Sequence, residues 1–352
     1  MSGSTRRIVQ FASPENAEVV TEPLSSPGAH DVIVRATRSA ISPGTERLIY
    51  QGKAPEQAPA DPSIGALSGE LSFPLRYGYA AVGVVEDVGS DVDPAWEGRR
   101  VFAFHPHASR FAASPDSLIP IPEDVRDDDA VLIPSLETAV NLVMDARPVI
   151  GERVVIFGLG IVGLLTTILM STYPVEHLLA VDPLQKRRSR AEEEGADATF
   201  DPEDEAEALE KALGMNDRVE TDSHQRDFPG ADVVIEVSGT PSALDQALAV
   251  TGYDGRILVG SWYAQDRPGV KLGTRFHRSR LDISASQVST IDPVYSGRWT
   301  KDRRMDVVCT LLPTVRPGRF ISHRYTPEHA EEAYTTLCDP ETDVLQPVFE
   351  YD

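Results

Sequence analysis

The feature that most restricts this chain is an uncharged run, Val154 to Met170, broken by glycines at 158, 160 and 163. A membrane span needs about 20 apolar residues, and this run is shorter and closes at Tyr173-Pro174. Val154–Phe157 favours a strand, and the residues after Gly160 favour an apolar helix. Gly158-Leu-Gly160-Ile-Val-Gly163 therefore stands between strand and helix, the context in which G-x-G-x-x-G binds a dinucleotide. Gly158 permits the tight turn, Gly160 lets the backbone approach the pyrophosphate, and Gly163 lets helix and strand pack closely. The helix N-terminus then favours the phosphate charge.

A second apolar run, His177–Val181, ends at Asp182. A carboxylate about 20 residues past the glycines accepts hydrogen bonds from the adenosine ribose hydroxyls. It also repels the additional phosphate of NADP, so NAD is the expected cofactor and NADP the less favoured one. Arg187 and Arg188 follow closely, near enough in sequence to meet a 2′-phosphate. The competing reading is a turn whose glycines are there for packing, with an unrelated Asp; strand, spacing and carboxylate together favour the binding site.

From Arg153 onward, strands and helices alternate. Strands are expected at Val154–Phe157, His177–Val181, Ala231–Val237, Arg256–Gly260 and Leu281–Ser284, with helices between them. That alternation predicts a doubly wound parallel sheet. The first third differs. Its β-branched runs (Asp31–Arg35, Gly83–Glu86, Arg100–Phe104) lie between Pro- and Gly-rich turns and predict a small β domain or barrel. After about Asp292 the pattern gives a helix, a strand near Phe320–His323, a helix from Pro327 and a strand at Gln346–Glu350. The expected organisation is α/β in two domains: 1–137 with 291–352, and 138–290. Asp201–Asp227 is strongly acidic and reads as a helix plus a solvated loop.

The formal net charge is −22, from 55 acidic against 33 basic side chains. The lysines are Lys53, Lys186, Lys211, Lys271 and Lys301 alone. An acidic, Lys-poor surface suits concentrated salt and points to a halophilic source, with an acidic mesophilic enzyme as the alternative. Such a charge repels nucleic acid and anionic membranes, so neither is an expected partner. Cys309 and Cys338 are too few and too far apart for a four-thiolate zinc lobe or a disulfide scaffold. No apolar segment follows the arginines of Met1–Val9, so a cytoplasmic location is expected.

Taken together, the β domain, dinucleotide domain and β-rich return resemble the medium-chain dehydrogenase/reductase family over nearly the whole chain. The likeness rests on Ser42-Pro-Gly-Thr-Glu46, Gly78-Tyr-Ala-Ala-Val-Gly83, Gly98–Phe104, the glycine fingerprint, Ala231–Gly239 and Gly255–Gly260. The first two segments are most similar to the bacteriochlorophyllide a dehydrogenase-like branch. The resemblance implies a GroES-like β-barrel domain, a Rossmann domain and a homodimer. It also implies two zinc sites, and here the chain departs from the pattern. Zinc-dependent members carry a Cys where Pro43 stands, Gly-His-Glu where Gly78-Tyr79-Ala80 stands, and a third ligand near Pro134. Neither Pro nor Ala binds zinc. No metal is therefore expected.

Without zinc, hydrogen-bond donors must stabilise the developing alkoxide or enolate. The resemblance puts Thr45 at a proton-relay position, Tyr79 in the cleft in place of a ligand, and Glu46 at an acidic position that could orient a donor. The competing readings are a space-filling aromatic for Tyr79 and a solvated turn carboxylate for Glu46. His105 falls at the wall of the substrate pocket, with His107 read as an exposed loop histidine. Thr138 matches a residue that packs on the nicotinamide ring; Val237, Ser238, Val259, Gly260, Ser286 and Gln287 lie at strand ends near the cofactor. The leading expectation is a zinc-independent, NAD-linked oxidoreductase acting on a small molecule, a secondary alcohol or its ketone. An NADPH-dependent quinone or enone reductase and a non-catalytic dinucleotide-binding protein stay open beside it.

Overall fold

Runs of β-branched residues set the first unit as strand. The chain forms β1 (Thr5–Ser13), β2 (Asn16–Pro23), β3 (Val32–Ala40), α1 (Thr45–Tyr50), β4 (Ala81–Val88), β5 (Arg100–Ala103), β6 (Arg110–Ala113) and β7 (Leu118–Pro120). Two helices follow, α2 (Asp127–Ala130) and α3 (Ile133–Ala146). Then come β8 (Arg153–Phe157), α4 (Ile161–Met170), β9 (His177–Val181), α5 (Gln185–Glu193), β10 (Ala198–Phe200) and α6 (Ala206–Ala212). β11 (Ala231–Glu236), α7 (Pro241–Val250), β12 (Thr251–Val259), α8 (Arg275–Arg278) and β13 (Asp282–Ala285) complete that run. The chain ends with α9 (Lys301–Val315), β14 (His323–Tyr325), α10 (Ala330–Cys338) and β15 (Pro347–Glu350). This computed structural model describes residues 5–55, 57–61, 63–67, 69–215, 229–265 and 269–352.

The molecule divides into two units, Met1–Pro134 with Cys309–Asp352, and Ser135–Val308. In the first, the sheet runs β14-β15-β3-β4-β5-β7, with β6 also paired to β3. The C-terminal strand closes it: β15 lies antiparallel to β3, Val348 opposite Ala40. Val32, Val34, Ala36, Val101, Phe111 and Phe349 fill its interior. Each apolar side chain of that size stabilises the fold by about 1.5–3 kcal/mol on burial. This is the GroES-like β domain. In the second unit the sheet order is β10-β9-β8-β11-β12-β13, every pair parallel. That is the Rossmann fold, with its change of direction between β8 and β11.

Two expectations shift. Residues 291–308 stay with the second unit, whereas the sequence pattern assigned them to the first. The reason is a set of long-range bonds: Arg304 is buried against Glu137, and the Tyr295 hydroxyl donates to the Met144 carbonyl. The strand expected from Phe320 begins at His323, because Pro317–Phe320 makes a 3₁₀ turn. Asp129 holds that turn by accepting from Gly318 N–H at 2.8 Å. Of the acidic stretch, α6 is helical as expected, while 216–227 lie outside the described residues. Among the described residues no helix is long and apolar enough to cross a membrane.

Candidate functional site

Strand register gathers the second unit's candidate residues at one edge of the sheet. Val181, Phe157, Glu236, Val259 and Ala285 lie side by side at the carboxyl ends of β9, β8, β11, β12 and β13. The next residue of each strand, in that order, is Asp182, Gly158, Val237, Gly260 and Ser286. Ligands of open parallel sheets bind at this edge, beside the change of direction.

The three glycines do three different jobs. Gly158 has φ +94, and a Cβ there would lie 2.5 Å from Ser238 Cα. A Cβ on Gly163 would lie 1.8 Å from the Gly158 carbonyl oxygen, so that close approach belongs to glycine. Gly160 is the opposite case: a Cβ there would meet nothing within 4 Å. Gly160 caps α4, whose first turn leaves N–H groups without helical partners. Open space over free donors is a cradle for a phosphate, and it fits a dinucleotide.

Asp182 is 4% exposed. Its two oxygens accept from Leu159 N–H at 2.8 Å and Leu184 N–H at 2.9 Å. The carboxylate is thereby fixed beside the glycine turn. Arg188 is not available to a 2′-phosphate. It is buried, donating to the carbonyls of Asp182 and Pro183, to Asp201 and to Gln185. Arg187 lies half-buried on α5.

On the other side of Gly158 stands a group the sequence reading passed over. Glu236 is fully buried, accepts from Ser238 Oγ at 2.5 Å and from Ser238 N–H at 2.8 Å, and takes the Tyr263 hydroxyl as a third donor. Burial first, and then Glu236, push the Tyr263 phenol far up. This pair fixes the turn of Val237 and Ser238. Gly260 packs where a Cβ would meet Leu142 Cδ2 at 2.8 Å, and Ser286 N–H bonds the Val259 carbonyl at 2.8 Å. Gln287 is exposed, and Thr138 is half-buried on α3.

In the first unit the structure brings Thr45 and Tyr79 together. The side chains of Ser42 and Thr45 stand close enough to the half-buried Tyr79 phenol to favour its charged form. Burial raises the Tyr79 phenol above its usual value, and those two neighbours oppose the rise without cancelling it. Glu46 is not a solvated turn residue. It is fully buried, receives Ser42 N–H at 2.7 Å, and accepts the Tyr334 hydroxyl at 2.6 Å and His107 Nε2–H at 2.9 Å.

His107 corrects the expectation of an exposed loop: it is 1% exposed. Its Nδ1 lies 2.7 Å from Ser39 Oγ, which lies 2.8 Å from the Tyr351 hydroxyl. Glu46 offers acceptors, so His107 donates its Nε2–H there, while Nδ1 faces the Ser39 hydroxyl. Tyr351, Ser39, His107 and Glu46 thus form one continuous hydrogen-bonded chain. Gly78 makes room for the ring: its φ is +107, and a Cβ would meet His107 Nε2 at 2.6 Å. His105 stands apart from this chain. It stacks on Phe111 at 4.0 Å and bonds the Pro106 carbonyl through Nδ1 at 2.8 Å. Burial, partly offset by that carbonyl, lowers its pKa to about 4. His105 is therefore neutral near pH 7, with Nε2 as an acceptor.

The donors around Tyr79 are hydroxyls, and among the described residues no three His, Cys, Asp or Glu side chains converge as metal ligands. Glu46 and His107 are each engaged by neighbours. This donor set does not fit zinc.

Comparison with known proteins gives consistent relatives. The family model for zinc-binding dehydrogenases matches residues 162–300. D-guloside 3-dehydrogenase of Escherichia coli K12 is 27% identical over 301 residues, covering 81% of each chain. Among solved structures, an E. coli CFT073 alcohol dehydrogenase (rspB) complexed with NADH superposes with a TM-score of 0.76 at 19% identity, over 99% of this chain and 100% of that one. A zinc-binding dehydrogenase of Sinorhizobium meliloti 1021 bound to NADP gives 0.72 at 20% identity, over 99% of each. At such identities the two structures speak to fold alone.

Proposed function

This chain belongs to the medium-chain dehydrogenase/reductase family, in its alcohol dehydrogenase-like group, and from that premise we propose an NAD-dependent, zinc-independent oxidoreductase that interconverts a secondary alcohol and its ketone. The observation that carries the reading is the open cradle at Gly160, flanked by the fixed carboxylate of Asp182. Bound nicotinamide supplies or takes the hydride. Gly160 and the first turn of α4 hold the pyrophosphate, Asp182 the adenosine ribose. That carboxylate, together with the commitment of Arg188 to other partners, supports NAD over NADP.

The chain's own acid is Tyr79. Its phenol, raised by burial, stays protonated at neutral pH and donates to the substrate oxygen. In reduction the alkoxide takes that proton, since an alkoxide is the stronger base, and the phenolate regains one from solvent by way of the neighbouring Ser42 and Thr45 hydroxyls. Glu46 holds the Ser42 backbone from behind, with His107 and Tyr334 fixing Glu46 in turn. The D-guloside 3-dehydrogenase and sorbitol dehydrogenase relatives support a sugar or polyol hydroxyl as the substrate class.

The test is fluorescence titration of chelator-treated protein with NADH and NADPH, followed by turnover on ketones, polyols and quinones. Tight NADH binding with metal-free turnover of a ketone is the expected result. NADPH preference with quinone turnover replaces it with the enone reductase reading, for which Arg187, close after Asp182 in sequence, is the candidate partner of the 2′-phosphate. Binding without turnover across the panel leaves a non-catalytic dinucleotide binder.

A further inference from the structure

We infer that Arg304, a residue remote in sequence from every motif above, positions the nicotinamide half of the dinucleotide. The inference rests on the dinucleotide reading and deepens it. Sheet order fixes where that half must go. Asp182 follows β9 and the glycine cradle follows β8. A dinucleotide whose adenosine lies over β9 and whose pyrophosphate lies over β8 continues over β11, β12 and β13. The loop after β13, residues 286–290, stands at the end of that path.

Arg304 holds this loop. It is fully buried, and its guanidinium has five N–H donors. All are used. Nε and Nη2 donate to Glu137 Oε1 at 3.1 and 2.7 Å, Nη1 to the Thr290 carbonyl at 3.0 Å. The remaining two reach Asn141 Oδ1 and the Val288 carbonyl. Asn141 extends the tie through Nδ2, which donates at 2.9 Å to Ser286 Oγ and to Asp145 Oδ2. Ser286 Oγ in turn donates to Asp145 at 2.7 Å. The loop is thus pinned at three residues, 286 to Asn141 of α3, and 288 and 290 to Arg304 of α9, which is itself tied to Glu137 and Asn141 of α3. α3 itself carries Thr138, next to Glu137.

Stability alone does not call for this arrangement. A buried ion pair is commonly replaced by apolar residues without loss, because its desolvation offsets its attraction. An apolar side chain, however, cannot turn two loop carbonyls inward. With the Val288 and Thr290 carbonyls facing Arg304, Gln287 is left exposed between the pinned points, its Oε1 accepting from Ser289 N–H at 2.8 Å. The guanidinium sets the shape of the surface against which the nicotinamide end lies, and Arg304 touches no ligand itself.

The experiment separates the two halves of the ligand. Arg304→Met and Asn141→Ala are titrated with NADH and with ADP-ribose, which lacks nicotinamide. Arg304→Met should weaken NADH about tenfold and Asn141→Ala about threefold, with ADP-ribose held within about twofold in both. Equal loss of both ligands, or no loss of either, overturns the role and leaves a plain core ion pair. If Arg304→Met does not fold, Asn141→Ala decides alone, since it keeps the Arg304–Glu137 pair. A wild type that prefers NADPH removes the NAD reading and not this one; NADPH and 2′-phospho-ADP-ribose then replace the two ligands. A wild type that binds none of them removes the dinucleotide reading and this inference with it.

Discussion

Tyr79 carries the sharpest chemical demand on any single side chain. It stands where a metal ligand is expected, yet it has the Ser42 and Thr45 hydroxyls for neighbours and is lifted in pKa by burial. A raised phenol pKa keeps the donor form present below the usual value and loses it only above. Ketone reduction should therefore hold level up to about pH 10. Tyr79→Phe should lower kcat roughly a hundredfold, with NADH affinity unchanged; an unchanged kcat would remove Tyr79 from the chemistry. The glycines and Asp182 were legible in the sequence because their meaning is local, a turn and a strand end. The bracing of Glu46 was not. His107 and Tyr334 lie 61 and 288 positions away from it in sequence, and no local pattern announces such partners. Arg304 was hidden for the same reason, 167 positions from Glu137.

Among the elements, the junction of β8 and α4 separates packing from binding within six residues. Gly163→Ala drives a methyl against a backbone carbonyl that cannot swing aside, and should destabilise by about 3 kcal/mol. Gly160→Ala meets open space in the free protein, so its urea midpoint should barely move, while NADH binding falls at least about tenfold as the methyl enters the phosphate cradle. Equal stability losses in the two variants would mean that the cradle is packed and not open. Strand alternation was read correctly for β8, β9, β11, β12 and β13 because period and punctuation agree there, while the three-residue edge strand β10 went unread, too short to show a period. The return segment misled at Phe320, where an apolar residue belongs to a turn held by Asp129 from another part of the chain. The extent of the second unit was misjudged likewise, since residues 291–308 are retained by contacts that sequence distance conceals.

For the molecule as a whole, charge decides the outcome in salt. Even with every basic side chain paired, 33 cations leave 22 of the 55 acidic groups without a counter-charge. Many cations do face carboxylates, as Arg324 does Asp128 and Glu350, and Arg110 does Glu86. Exposed pairs of that kind contribute about 0–1 kcal/mol each and weaken in salt. The unpaired excess acts the other way, since its mutual repulsion destabilises the compact state and is screened as the Debye length falls from about 10 Å at 0.1 M to about 3 Å at 1 M. The buried Arg304–Glu137 pair lies beyond the reach of such screening. Repulsion among the uncompensated carboxylates should therefore win, and the urea midpoint should rise steadily as KCl is raised from about 0.1 to 2 M, flattening once the Debye length is shorter than the spacing of surface charges. NaCl should act alike if screening is the cause. A midpoint that stays level or falls would show that local pairs outweigh the net charge, and the salt-adapted reading of this acidic surface would be lost.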